Sequence, residues 1–515
     1  MKKNSFINDR KKIVIWCIFA SAIVINVYLY FHILNNFPHL LNDFESEYLM
    51  IAENLYKHGE YSYCDTEDCV PDTSVLPVPP VIGYLVFSIC GVGNIALEVI
   101  RIILMLSNFG IIIIAYYIGK IFDYKVGCVA AFLAAADVSM FCWSNNFKPD
   151  MIYAFLFTVS IYFLVKFIKI EQSKKSIILA SLFLGLAVLT KAGLYMLFPL
   201  IAGFLLVFLL FVKKEAFVKS LYYVSIFIVI QLVFIMGWKV RNYHATGVMA
   251  FTSKVGHFAL FKNHVPALIA YQEGISIKEA QERVRNKYAT EDIMKLDVHA
   301  RNKYFKKVAT RIVLNSPLDY AVTYLKNYKI NIVPLFLGTV PPDFLFSKKN
   351  REDLFERMQV KLYTEYYYKN NDKTSLPTLS KRKPKYMGSL SNLPFLKTLW
   401  NGNHYSYIFL WSIIKAHILL IYLTAIIGFF LILKDKSGRW VLVLMVLIIA
   451  YYIVLLSPSA MVSRHRVILM PIFYFLSSCG LIWLGKVFQQ FINSRANLIK
   501  HESLNKDNVL LREWL

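Results

Sequence analysis

Charge is scarce in this chain, and negative charge is scarcest. Only 17% of its 515 residues are charged, with 33 Asp and Glu against 57 Lys and Arg. A soluble globule of this length would carry more, so that class is excluded. Glycine-rich loops that cradle phosphate are missing, which removes the usual grip on a nucleotide donor. No internal repeat is visible. His257 and His264 have no partners at metal-ligand spacing and read as surface or core histidines. Of seven cysteines, Cys17, Cys90, Cys128, Cys142 and Cys479 lie in or beside apolar segments, where thiols act as small core residues.

What remains is apolar: 57% hydrophobic, 16% aromatic, with a mean hydropathy of +0.48. The chain therefore reads as an all-α polytopic membrane protein with about ten spans of about 20 residues. They fall near 13–34, 97–121, 125–143, 150–169, 176–190, 192–212, 219–238, 406–433, 439–457 and 467–486. The net charge of +24 would suit nucleic acid. However, the basic residues stand in short clusters between apolar runs, which is a pattern of membrane orientation and of contact with anionic lipid headgroups. Nucleic acid is not an expected partner. Lys120, Lys125, the segments 169–175, 212–219 and 434–439 and both termini share one side, which the positive-inside rule makes the cytoplasm. The organisation expected is an N-terminal transmembrane catalytic module, 1–238, with an external loop at 35–96. An external loop region follows at 239–405, then C-terminal helices at 406–486 and a cytoplasmic tail at 487–515. Residues 76–92, short and broken by proline, should dip into the interface. Lys and Asn interrupt 316–338, which reads as an interfacial helix.

The stretch NDFESEYLMIAENLYKHGEYSY at 42–63 stands out. Asp43, Glu45 and Glu47 cluster where the chain leaves the bilayer, and Tyr48, Ile51, Ala52 and Leu55 then recur at helical spacing. That describes an amphipathic helix on the membrane surface with carboxylates at its start. Carboxylates there suit chemistry on a lipid-bound substrate; the plainer alternative is a helix cap with a capping box. Cys64 and Cys69 flank CDTEDC, and outside the cytoplasm they should form a short-range disulfide.

Four stretches read together carry a resemblance: Asp43 with Tyr48 and Ala52, then PPVIGYL at 79–85, LAVLTKAGLYMLFP at 186–199, and WKVRNYHATG leading into FTSKVGHFALFKNH at 238–264. SRHRVILMP at 463–471 adds to them. The chain resembles the C-type (GT-C) glycosyltransferase superfamily, and within it bacterial relatives of the protein O-mannosyltransferases and of the lipid A aminoarabinose transferase. The resemblance implies a helix bundle with a surface cavity and a sugar donor carried on polyprenyl phosphate. It implies a catalytic acid in the first external loop, Asp43 with Glu45 as its neighbour, and a second acid, Asp150, opening the fourth span. Lys191 would face the donor phosphate. Arg241, Arg464 and Arg466 would reach the outer interface and grip phosphate bidentately. The plain alternatives are a solvated cap for Asp150, a snorkelling Lys191 and headgroup anchoring for the arginines. Pro79 departs from the aminoarabinose transferases, which carry Lys before the proline matching Pro80. Some members of the superfamily hold a divalent metal on the loop acids, so the metal is left open.

The function expected is sugar transfer, with inversion, from a polyprenyl-phosphate donor to a lipid, polysaccharide or protein acceptor. It would occur on the outer face of the bacterial cytoplasmic membrane. The alternative is a transporter or flippase of lipid-linked glycans, which intramembrane ionisable residues and paired broken helices would mark.

Overall fold

A computed structural model describes residues 13–28, 47–62, 71–144, 148–252, 255–296, 298–326, 405–436, 438–455 and 466–513. The described residues are helical throughout, joined by short turns. Among the described residues six helices are long and apolar enough to cross a membrane. In chain order the first helices are α1 (Ile13–Tyr28), α2 (Glu47–His58), α3 (Val78–Cys90) and α4 (Asn94–Lys120). Next come α5 (Tyr124–Ala135), α6 (Val138–Ser144), α7 (Asp150–Lys169), α8 (Lys174–Val188), α9 (Leu197–Val207) and α10 (Phe217–Thr246). The region after α10 holds a π-helical stretch, Val255–His264, that runs into α11 (Val265–Glu273), then α12 (Ile277–Tyr288), α13 (Glu291–Lys295), α14 (Val298–Asn315) and α15 (317–326). The last helices are α16 (Tyr405–Lys434), α17 (Gly438–Leu455) and α18 (Met470–Glu513).

The helices pack by the means a bilayer allows, small residues and interhelical hydrogen bonds. A Cβ on Gly119 of α4 would stand 2.7 Å from Gly127 of α5, so these helices meet backbone to backbone. Gly428 of α16 and Gly480 of α18 form the same kind of crossing. Thr424 and Ser477 bond across it at 2.6 Å. Ser160 donates to the Ala180 carbonyl at 2.7 Å and ties α7 to α8. Gln231 donates to the Ser181 carbonyl at 2.5 Å and ties α8 to α10. Helix α7 is the central post: 72% of its apolar window is buried, against 33% for α10 and α16. Its first residue, Asp150, therefore stands in the middle of one end of the bundle.

One expectation changes. The span expected at 125–143 is two helices, broken at Ala136–Asp137. The Asp137 carboxylate accepts from the Ser139 and Met140 amides (2.9 and 3.4 Å) and so starts a new helix inside an apolar run. Helix α10 continues to Thr246, where Gly247 ends it with φ 72° and an N–H bond to the Tyr243 carbonyl. At 30 residues α10 is about 45 Å long, well beyond a hydrocarbon core of about 30 Å, so its polar last turns, 239–246, overhang the apolar length. The segment 487–513 continues α18 as helix. The segment expected to dip into the interface is α3, 13 residues long and too short to span alone. The interfacial helix expected at 316–338 is helical over 317–326, and its remainder lies outside the described residues.

Candidate active site

The end of the bundle where α7 begins and α8 stops brings together Asp150 and Lys191, two of the side chains singled out above. Lys191 sits in extended backbone (φ −154°, ψ 129°) between α8 and a single 3₁₀ turn, Ala192–Leu194. That kink turns its side chain across to α7, where Nζ meets Asp150 Oδ1 at 2.6 Å. The N-cap of α7 is Pro149, whose side chain makes no capping bond. The Asp150 carboxylate reaches Lys191 across 41 residues of sequence. Asp150 is 8% exposed and Lys191 27%, so the ammonium is the half of the pair that a ligand can reach. The ring of Tyr153 lies 5.9 Å below it.

Arg241 stands in the last turns of α10. Its guanidinium lies over two rings, Tyr61 at 4.5 Å and Trp238 at 4.9 Å, and donates to the Asp72 carbonyl at 2.7 Å. The Asp72 carboxylate in turn accepts from the Ser74 and Val75 amides (3.0 and 2.7 Å), which fixes a tight turn. Thr252 donates to the Ser74 carbonyl at 3.0 Å. Arg241 therefore clamps the first external loop onto α10 and onto the chain that follows it. Burial pushes the Tyr61 hydroxyl above its ordinary value, and the Asp72 carboxylate adds to the shift while Arg241 opposes it.

Arg466 does not reach the outer interface as expected. It is 1% exposed and donates to Ser139 Oγ at 2.8 Å, within a buried polar node where Tyr474 donates to Asp137 Oδ2 at 2.7 Å. The break between α5 and α6 explains this, because it opens a polar position inside the bundle that a guanidinium can fill. Asp43, Glu45, Arg464, Cys64 and Cys69 lie outside the described residues.

The motif stretches meet where α2 packs on α3. A Cβ on Gly83 of PPVIGYL would lie 2.7 Å from Ala52 Cβ, so glycine there lets the two helices touch. Beside that contact Tyr48, Pro79, Ile100 and Lys148 line a small cavity of about 30 Å³. Among the described residues no group of three or more His, Cys, Asp or Glu gathers as a metal site would need.

A larger apolar groove, about 1270 Å³, runs along α17 between α9, α15 and α16. Its wall extends from Leu442 near the start of α17 to Val454 near its end, about 18 Å at 1.5 Å per residue. Its polar groups are His264, Tyr320, Tyr324 and Tyr451. Tyr320 and His264 Nδ1 are 2.7 Å apart, and Tyr324 donates to the Val454 carbonyl at that end. Tyr451 donates to the Gly193 carbonyl at 3.0 Å, two residues from Lys191. Burial holds His264 below the ordinary imidazole value. An apolar body with polar groups at one end matches a lipid that carries a polar head.

Asp72, Tyr61, Asp137 and Tyr451 were not singled out in the sequence. Asp137 carried a visible signal, an acid in the middle of an apolar run. Tyr61, Asp72 and Tyr451 carried none, since their importance comes from partners far along the chain.

A multi-span helical membrane protein with an ion pair and an aromatic-lined cation at one end is thus defined. Residues 74–238 match the family model described as dolichyl-phosphate-mannose-protein mannosyltransferase, which agrees with the resemblance read in the sequence. That segment contains Asp150 and Lys191 and stops short of Arg241. No curated protein matches the chain in sequence. Among solved structures it is similar to the oligosaccharyltransferase of Archaeoglobus fulgidus in the apo form, with a TM-score of 0.46 and 13% identity over 94% of this chain and 51% of that one. It is also similar to ArnT from Cupriavidus metallidurans bound to undecaprenyl phosphate, with a TM-score of 0.37 and 11% identity over 89% of this chain and 76% of that one. The chain thus spans about half the length of the archaeal enzyme.

Proposed function

We propose that this chain transfers a sugar from a polyprenyl-phosphate donor to an acceptor on the outer face of the cytoplasmic membrane. The observation that carries the reading is the apolar groove beside α17, whose polar end adjoins the hairpin bearing Lys191. A polyprenyl chain stays in the bilayer, so the site must come to it, and the groove offers such a chain a path. The family description of residues 74–238 names a sugar on a lipid phosphate, which supports the same donor class.

In this reading the acceptor hydroxyl attacks the anomeric carbon and inverts it. Its proton passes to the carboxylate of Asp43, with Glu45 the neighbouring candidate, and the bonding pair leaves with the phosphate. A phosphate leaving group needs no acid to protonate it, so cations suffice on that side. Lys191, oriented by Asp150, and Arg241 are the described cations that would stabilise it, with Arg464 a further candidate. Arg466 would serve from the interior by holding α6.

A transporter would gain from the broken helix at Asp137. That break is closed by Tyr474 and Arg466, which favours a fixed scaffold.

The test is transfer by purified protein in detergent solution, where translocation cannot be scored. Asp43→Asn should lower turnover by about 10²–10⁴-fold, with donor binding retained, and Glu45→Gln should be milder. Full activity in both variants would sink the proposed mechanism. Loss confined to the Glu45 variant would move the base to that residue.

A further inference from the structure

The helix that runs from the π-helical stretch 255–264 into α11 has two faces in use. His264 lines the apolar groove, whereas Lys262, Asn263 and Pro266 line a separate cavity of about 690 Å³ among α11–α14. The two cavities share that helix as a wall.

The second cavity is strongly biased in charge. Lys262, Lys278, Arg285 and Arg301 line it, and Glu282 is the one carboxylate among the lining residues. The neighbouring acids Glu273 and Glu279 are engaged outside it, holding Arg283 at 2.5 and 2.7 Å. Arg301 donates to the Met294 carbonyl at 3.2 Å, which sets one edge. The base is aromatic: the rings of Phe261 and Phe305 lie 4.2 Å apart, and both residues are almost fully buried.

The chemistry selects among anions. Four cations around a concave cavity concentrate negative charge there. Asn263 and Gln281 supply amides, and Glu282 an acceptor, suited to hydroxyl groups. The two rings, packed on each other, hold the floor of the cavity closed. A layer of lipid headgroups would be met better by a flat basic stripe flanking an apolar one, and an acid in the middle would oppose it.

We propose that this cavity binds an anionic saccharide, bearing carboxylate or phosphate, as the docking subsite of the acceptor. The acceptor role rests on the transfer reading above; the binding itself does not. In mechanical terms, the wall shared with the groove brings a docked acceptor within one helix width of the donor.

The experiment uses the full-length protein in detergent micelles and three probes: a hyaluronan hexasaccharide, neutral chitohexaose, and vesicles of phosphatidylglycerol. The charged hexasaccharide should bind at least about tenfold more tightly than the neutral one, a difference of about 1.4 kcal/mol, and less tightly as salt rises. Lys278→Gln with Arg285→Gln alters two exposed side chains of α12. It should weaken that binding about tenfold or more and leave the binding of undecaprenyl phosphate unchanged. Equal binding of the two hexasaccharides would overturn the proposal. So would an unaffected double variant, or binding to the vesicles alone, which would make this face a membrane contact. Charge-dependent saccharide binding that is lost in the double variant supports the subsite even if no sugar transfer is ever detected. That last outcome would sink the transfer reading alone.

Discussion

Two ion pairs of nearly equal length close opposite ends of the bundle. Asp150 and Lys191 meet at 2.6 Å at the start of α7, and Lys169 and Asp435 meet at 2.7 Å at its end. The separation between them is 19 residues of one helix, or about 28 Å. Their surroundings differ: Asp150 is 8% exposed, whereas Asp435 is 44% exposed. Coulomb attraction is similar at contact, but the cost of losing a partner is set by how much water can take its place. The Lys169–Asp435 pair is a fastening between α7 and the turn after α16. The Asp150–Lys191 pair buries a carboxylate against a cation that stays partly open to solvent.

Removing one member of each pair should separate them most sharply. Lys191→Met takes from the buried Asp150 carboxylate the cation it meets at 2.6 Å, where the loss for a fully buried pair is about 3–5 kcal/mol. Water at Lys191 pulls the expectation toward the lower figure. Thermal unfolding in detergent, followed by circular dichroism, should show it. Adding Asp150→Asn to that variant should restore most of the stability without restoring transfer. A single Lys191 variant as stable as the parent would erase the contrast between the two ends.

At the other end, Asp435→Asn should cost at most about 1 kcal/mol, shrinking further in high salt, with transfer unchanged. A larger loss would mean the exposed pair does more than fasten.

The smallest effect concerns His264, outside either ion pair. Burial lowers its pKa in the folded protein. The unfolded chain therefore takes up the proton first, and the stability contributed is present above the ordinary imidazole value of about 6.5 and lost as pH falls below it. Protection from hydrogen exchange over 265–273, taken relative to the intrinsic rate at each pH, should fall as the pH drops from about 7.5 to about 5.5. His264→Phe keeps an aromatic ring against Tyr320 and Tyr324 and should remove that pH dependence. An unchanged pH response in that variant would assign the effect elsewhere.

The helical bundle was legible because hydrophobic length and punctuation agree. Helix α7 was read to the residue, since Asp150 and Lys169 mark its ends in otherwise apolar sequence. The same method failed at Asp137, where an apolar window hides a helix break that depends on Tyr474 for its closure, 337 residues away. Within the candidate site, Lys191 and Asp150 were each readable as unusual, but not as a pair, because the kink after α8 decides where the lysine points. Arg241 was singled out for phosphate. Its bond to Asp72, 169 residues distant, and its seat between Tyr61 and Trp238 are properties of packing that no local pattern carries.

Helix α10 has a consequence of its own. It is one unbroken rod, anchored among the spans by Gln231 and carrying Arg241 on its overhang. Ten residues separate the anchor from the clamp, so the height and bearing of Arg241 over the membrane are set by a count of residues. One residue inserted between them would lift the guanidinium by about 1.5 Å and swing it by about 100°, away from Tyr61 and the Asp72 carbonyl. The overhang thus works as a graduated post: the chain can change any exposed side chain along this stretch and keep the loop in place, but it cannot change the length.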